Sequence, residues 1–103
     1  MTYIISENNI NYASINSSIN AQINYHYSCD TSGGAFTLTL PALSSVTAGQ
    51  EIRIKLVTAG NDLIIAYSGS DTIEGASSNY VLSVAKSAIT LVANVQGTDW
   101  EII

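Results

Sequence analysis

The chain has 103 residues, a formal net charge of −5, 47% hydrophobic residues and only 11% charged ones. That describes one domain with material for a single modest core. Three Lys and Arg in total speak against nucleic-acid binding, which needs clustered cations, and against an anionic membrane surface.

The first segment is unlike the rest. Residues 1–20 are rich in Asn and Ser, with Ile10, Ile15 and Ile19 spaced through them. Two readings stand beside plain disorder: an arm that orders against a neighbouring subunit, or an edge strand with loops. Met1-Thr2-Tyr3-Ile4-Ile5 lacks the basic start of a signal peptide, so assembly in a cytoplasm is expected. No apolar run approaches the roughly 20 residues of a membrane span.

From residue 21 to 103 the pattern is that of a β-domain. Phe36, Leu38 and Leu40 alternate with Thr37 and Thr39. Ile52, Ile54 and Leu56 alternate with Arg53 and Lys55, and Ile89, Leu91 and Ala93 alternate with Thr90 and Val92. A period of two marks strands with one buried face. Leu63-Ile64-Ile65-Ala66-Tyr67 is continuously apolar and predicts a strand buried on both sides. Trp100 and Ile102 alternate with Asp99 and Glu101 in a last strand. Gly-containing turns such as Ser32-Gly33-Gly34 and Ala59-Gly60-Asn61-Asp62 separate the runs, and Pro41 closes the FTLTL strand. The expectation is an all-β fold, a small antiparallel sandwich or barrel with an extended N-terminal arm and no internal repeat.

Chemistry has few places to sit. Residues 69–75, GSDTIEG, hold Asp71 and Glu74 three positions apart. An EF-hand calcium loop needs more oxygen ligands and a longer span, and a glycosidase pair needs two carboxylates across a cleft. A structural turn is therefore expected, with Asp71 as its cap, Thr72 and Glu74 facing water and Ile73 pointing inward. His26 and Cys29 are the only residues of their kinds, too few for a zinc site or an internal disulfide. Strand alternation puts Tyr25 and Tyr27 on one face and His26 with Ser28 on the other. One histidine per chain could still gather around the axis of a symmetric oligomer. No Gly-rich phosphate cradle and no G-x-S-x-G elbow are present. No enzyme activity, cofactor or metal is expected. The six tyrosines and the neutral polar surface suit subunit contacts.

Residues 31–102 carry a resemblance. TSGGAFTLTLPALSSVTAGQEIRIK, then GSDTIEG, then ITLV, then GTDWEII resembles a small β-domain of tailed-bacteriophage virion proteins, found in tail fibres, tailspikes and small head-associated proteins. The chain departs from that pattern at Lys86-Ser87, where the family often has a glycine turn, and at Val95-Gln96, which lengthens the next loop. The resemblance implies a homotrimer in the virion. No shaft repeat or coiled-coil heptad accompanies the domain, which favours a free-standing decoration or cement protein on the capsid surface, with the major capsid protein as partner. The expected capsid or subunit contacts are Tyr3, Ile5, Tyr12, Tyr25, His26 and Tyr27. The alternative is a tail-fibre or tail-tip subunit that recognises a host surface glycan or protein, with contacts at the tyrosines and at the loop tips around Lys86 and Gln96.

Overall fold

The structure is a computed structural model that describes residues 10–103. Ten strands form two sheets: β1 Asn11–Ile15, β2 Ile19–Asn20, β3 Tyr25–Asp30, β4 Phe36–Thr39, β5 Glu51–Thr58, β6 Leu63–Ala66, β7 Thr72–Ile73, β8 Tyr80–Leu82, β9 Ala88–Ala93 and β10 Asp99–Ile102. The first sheet has the order β1-β3-β5-β9-β10-β7, and the second β2-β4-β6-β8. The all-β expectation holds, and a single 3-10 turn at Leu43–Ser45 interrupts the strands among the described residues.

The antiparallel expectation is corrected. In the first sheet β1 pairs with β3 and β3 with β5 in parallel, while β9 is antiparallel to β5 and to β10. In the second sheet β2, β4 and β6 are parallel and only β8 is reversed. The chain alternates between the sheets at every step from β1 to β9. Parallel neighbours need a crossover, and here the crossover is a strand of the opposite sheet rather than a helix. The glycine turns up to β9 are therefore corners that switch sheets, and only the Gly97 turn, between the antiparallel β9 and β10, closes a hairpin. A period of two is the same in parallel and antiparallel strands, so alternation alone could not separate the two.

Residues 11–20, expected as part of an arm or edge segment, supply the edge strands β1 and β2, in parallel register with β3 and β4. Tyr3 and Ile5 lie outside the described residues.

The core lies between the sheets. From the first sheet it takes Tyr27, Cys29, Ile52, Ile54, Leu56, Ile89, Leu91, Ala93 and Trp100; from the second, Phe36, Leu38, Leu63, Ile65 and Leu82. The alternation read for β4, β5 and β9 places these side chains inside as expected. The strand expected to be buried on both sides is not: Leu63 and Ile65 are buried, but Ile64 and Ala66 are only half-buried on the outer face. Trp100 is fully buried, and its indole N–H has no hydrogen-bond partner.

Two corners are bolted together by a buried hydroxyl. Thr31, fully buried, donates from Oγ1 to the Asn61 carbonyl at 2.7 Å, and Asn61 Nδ2 returns a bond to the Thr31 carbonyl at 2.8 Å. The Thr31 N–H donates to the Thr58 carbonyl at 3.0 Å. This ties the β3–β4 corner to the β5–β6 corner. Gly60 fits closely there, since a Cβ on it would stand 3.1 Å from the Ser32 Cα and press the two corners apart by a few tenths of an ångström. Thr31→Val keeps the shape and removes the hydroxyl, leaving the Asn61 carbonyl without its buried donor. Denaturant titration is expected to show a loss of about 1–3 kcal/mol. A loss indistinguishable from zero would mean that the corner is held by its backbone bonds alone.

Candidate functional site

The acidic turn is the first candidate, and its carboxylates are occupied by the backbone. Asp71 Oδ2 accepts the Leu43 N–H at 2.9 Å, at the start of the 3-10 turn. Asp71 therefore caps a distant segment, although its own N–H also closes a local turn onto the Ser68 carbonyl. Glu74 Oε2 accepts the Ile102 N–H at 2.7 Å. Asp99 Oδ1 accepts both the Thr72 hydroxyl at 2.6 Å and the Gly75 N–H at 2.8 Å. Ile73 is 2% exposed and points into the core as expected. Glu74 takes a left-handed backbone, φ +52°, and Gly75 follows at +77°. Each acid thus satisfies a donor that strand pairing leaves over. Glu74 is exposed as foreseen, yet it works as a staple across to β10. Among the described residues no three His, Cys, Asp or Glu side chains converge as metal ligands would.

The expected contact residues divide between two faces. Tyr25 and Tyr27 stack with ring centroids 5.1 Å apart and planes 10° apart. Tyr27 is 2% exposed, and its hydroxyl accepts the Gln22 N–H at 2.8 Å. It belongs to the core and offers a partner almost nothing, while Tyr25 is half-buried against that core. Tyr12 and His26 are on the outer face of the first sheet, directly paired, with ring centroids 5.5 Å apart. Tyr12 is 66% exposed. The opposite-face placement read from alternation for Tyr25, His26 and Tyr27 is what the structure has.

Lys86 and Gln96 are not one surface. Lys86 precedes β9 and Gln96 follows it, so they lie at opposite ends of a strand about 20 Å long. Lys86 adopts φ +73°, the conformation that glycine fills most cheaply, and its N–H donates to the Leu56 carbonyl at 2.6 Å. Gln96 Oε1 accepts from Asn94 Nδ2 at 3.0 Å, within a turn that Asn94 Oδ1 organises by accepting the Thr98 and Asp99 N–H groups.

Two surfaces were not singled out by sequence reasoning. The outer face of the second sheet carries no charge: Asn20, Thr39 and Ala66 form one row, and Thr37, Ile64 and Val81 the next. Val81 is 47% exposed. The second is a groove of about 490 Å³ between two corners, lined by Asn16, Ser18, Asp30, Ser32, Gly34 and Phe36. The Ser32 hydroxyl and N–H both bond the Asp30 carboxylate and hold it below its usual range. The signal for the first surface was present, since its residues alternate with buried ones. Recognising it required knowing that β4, β6 and β8 are neighbours.

Compared with models of protein families and with curated proteins, the chain finds no significant match to either.

Cys29 is buried, and burial pushes its thiol from 9.0 to about 12. Burial also raises the Tyr27 phenol. A thiol whose pKa rises on folding keeps its proton in the native state while the unfolded chain loses it. Stability is then unaffected by this group below about pH 9 and falls as pH climbs toward 12. Thermal melts across that range are expected to show the decline, and Cys29→Ala to flatten part of it. A native thiol that reacts with a disulfide reagent as fast as the unfolded chain would contradict the burial.

Proposed function

We propose that the protein is a structural component of a tailed-bacteriophage virion, a decoration or cement protein that binds the assembled capsid shell as a homotrimer. The sequence resemblance of residues 31–102 suggests the setting. The observation that carries the binding role is the charge-free outer face of the second sheet, built by Thr37, Thr39, Ile64, Ala66 and Val81. Burying such a face costs no charge desolvation, whereas burying an unpaired Lys or Glu there would cost several kcal/mol. Val81, on the edge strand of that face, is 47% exposed. Acids occupied by backbone N–H groups also support a binding role over catalysis.

The mechanism is linkage. A protein that binds only the assembled shell stabilises it by RT ln(1 + [L]/Kd), about 2.7 kcal/mol per site at a hundredfold excess over Kd. Trimerisation multiplies the contacts each decoration unit makes, so weak individual contacts add to firm retention. The tail-tip alternative would place its contacts at the tyrosines and at loop tips near Lys86 and Gln96, which lie at opposite ends of β9.

Ile64→Lys places a charge at the centre of the neutral face while leaving the core residues Leu63 and Ile65 untouched. The expected result is a folded chain by circular dichroism, a shift toward monomer in analytical ultracentrifugation, and at least tenfold weaker binding to purified heads. A folded variant that keeps both assembly and head binding would overturn the proposal.

A further inference from the structure

Each sheet grows in chain order, β1-β3-β5 in one and β2-β4-β6 in the other, so β1 and β2 form the first turn of a flattened coil and its open end. β1, Asn11–Ile15, pairs with β3 alone. The Asn11 N–H donates to the Asn24 carbonyl at 2.8 Å, with Asn11 in register with Tyr25. Backbone groups alternate sides along a strand, so Asn11, Ala13 and Ile15 face β3, while the N–H and C=O of Tyr12 and Ser14 face outward. In β2 the Ala21 N–H donates to the Thr39 carbonyl, which leaves the backbone of Asn20 facing outward in the same way. No described residue pairs with either edge.

Sheet edges are normally blunted by Lys, Pro, a bulge or shortness. Residues 11–24 hold no charged residue, no proline and no glycine, and β1 runs in unbroken register beside β3. The far edge of the same sheet is different, for β7 is only Thr72–Ile73 and is flanked by Asp71 and Glu74. The core is also unfinished at the open end. Ala13, Ile15, Ile19 and Ile23 pack against it yet stay half-buried, whereas Tyr27, Cys29 and Leu38 on the next strands are fully enclosed.

We propose that this end binds a second copy of the chain, edge to edge, about a two-fold axis perpendicular to the sheets. Such an axis returns each sheet to its own layer, so β1 meets β1 and β2 meets β2 of the other copy, antiparallel. With the axis at Ala13, Tyr12 of each copy stands opposite Ser14 of the other, and each such pair exchanges both of its N–H···O=C bonds. The geometry selects a copy over a foreign peptide. The open end has two stacked edges about 10 Å apart, and one extended peptide covers only one of them. A copy covers both at once and closes Ile15, Ile19 and Ile23 against an equally apolar end, with no charge to desolvate. The contact leaves the outer face of the second sheet free and does not rest on the decoration reading.

Sedimentation equilibrium of the full chain tests it. The edge is short, so the interface is of the weak class, and the mass of the species present at low concentration is expected to double between about 10 μM and about 1 mM. Ile64→Lys is expected to double in the same way, starting from monomer. Ser14→Pro removes an outward N–H and spares the ladder with β3; it is expected to lose the doubling while Ser14→Ala keeps it, with melting curves confirming the fold. Ala13→Cys sets two thiols across the axis at a Cα separation of about 4.5 Å, within disulfide range. Mild oxidation is expected to cross-link it into dimers, and Asn11→Cys at least tenfold less. No doubling, doubling retained in folded Ser14→Pro, or equal cross-linking at Asn11 would each overturn the proposal. Doubling that appears only after residues 1–9 are removed would mean that the chain's own first residues occupy the edge, and would overturn it as well.

Discussion

Each strand of this chain has one apolar face, and the architecture follows from the need to hide it. A single sheet would leave the Leu38, Leu56 and Leu91 faces wet. Two sheets solve the problem when the chain crosses from one to the other after nearly every strand, so that both sheets grow together around one core. The corners carry the stress of that route. Thr31 and Asn61 exchange hydrogen bonds where the β3–β4 corner meets the β5–β6 corner, and Gly60 allows their close approach. Hydrophobic burial drives the packing without direction, and these polar corners set which corner lies over which.

Much of this was legible in the residues, and what was missed has a definite physical cause. Alternation in FTLTL and EIRIKL predicts both the strands and their buried sides, because a pleated strand turns every second side chain the same way. Partner identity is not encoded in that period. The same glycine-rich corner serves a hairpin or a crossover, and so the parallel ladders, the repeated alternation between sheets and the half-exposure of Ile64 escaped the sequence reading. GSDTIEG forms a turn, as its residues led one to expect. Its long-range role was invisible, since the partners of Asp71 and Glu74 are each 28 residues away.

The same topology that hides the core sorts the surface. One sheet presents a neutral, partly apolar exterior, and the other carries Arg53 and Lys55 together with Glu51 and Glu101. Neither face is contiguous in sequence. The candidate contacts read from tyrosine content divide accordingly: Tyr27 is consumed by the core and Tyr12 is offered to solvent. A residue type that suits interfaces says little until its strand neighbour is known. The carboxylates show the complementary lesson, for acids that looked like possible ligands are fastened to backbone donors.

A structural role on a capsid makes one quantity decisive, the number of copies per particle. A decoration protein covers repeated positions of the shell, whereas an appendage occurs at a few. Quantitative mass spectrometry of purified virus particles, scored against the major capsid protein, measures this directly. The account predicts copies comparable to those of the capsid protein. A handful per particle, or none, would contradict it.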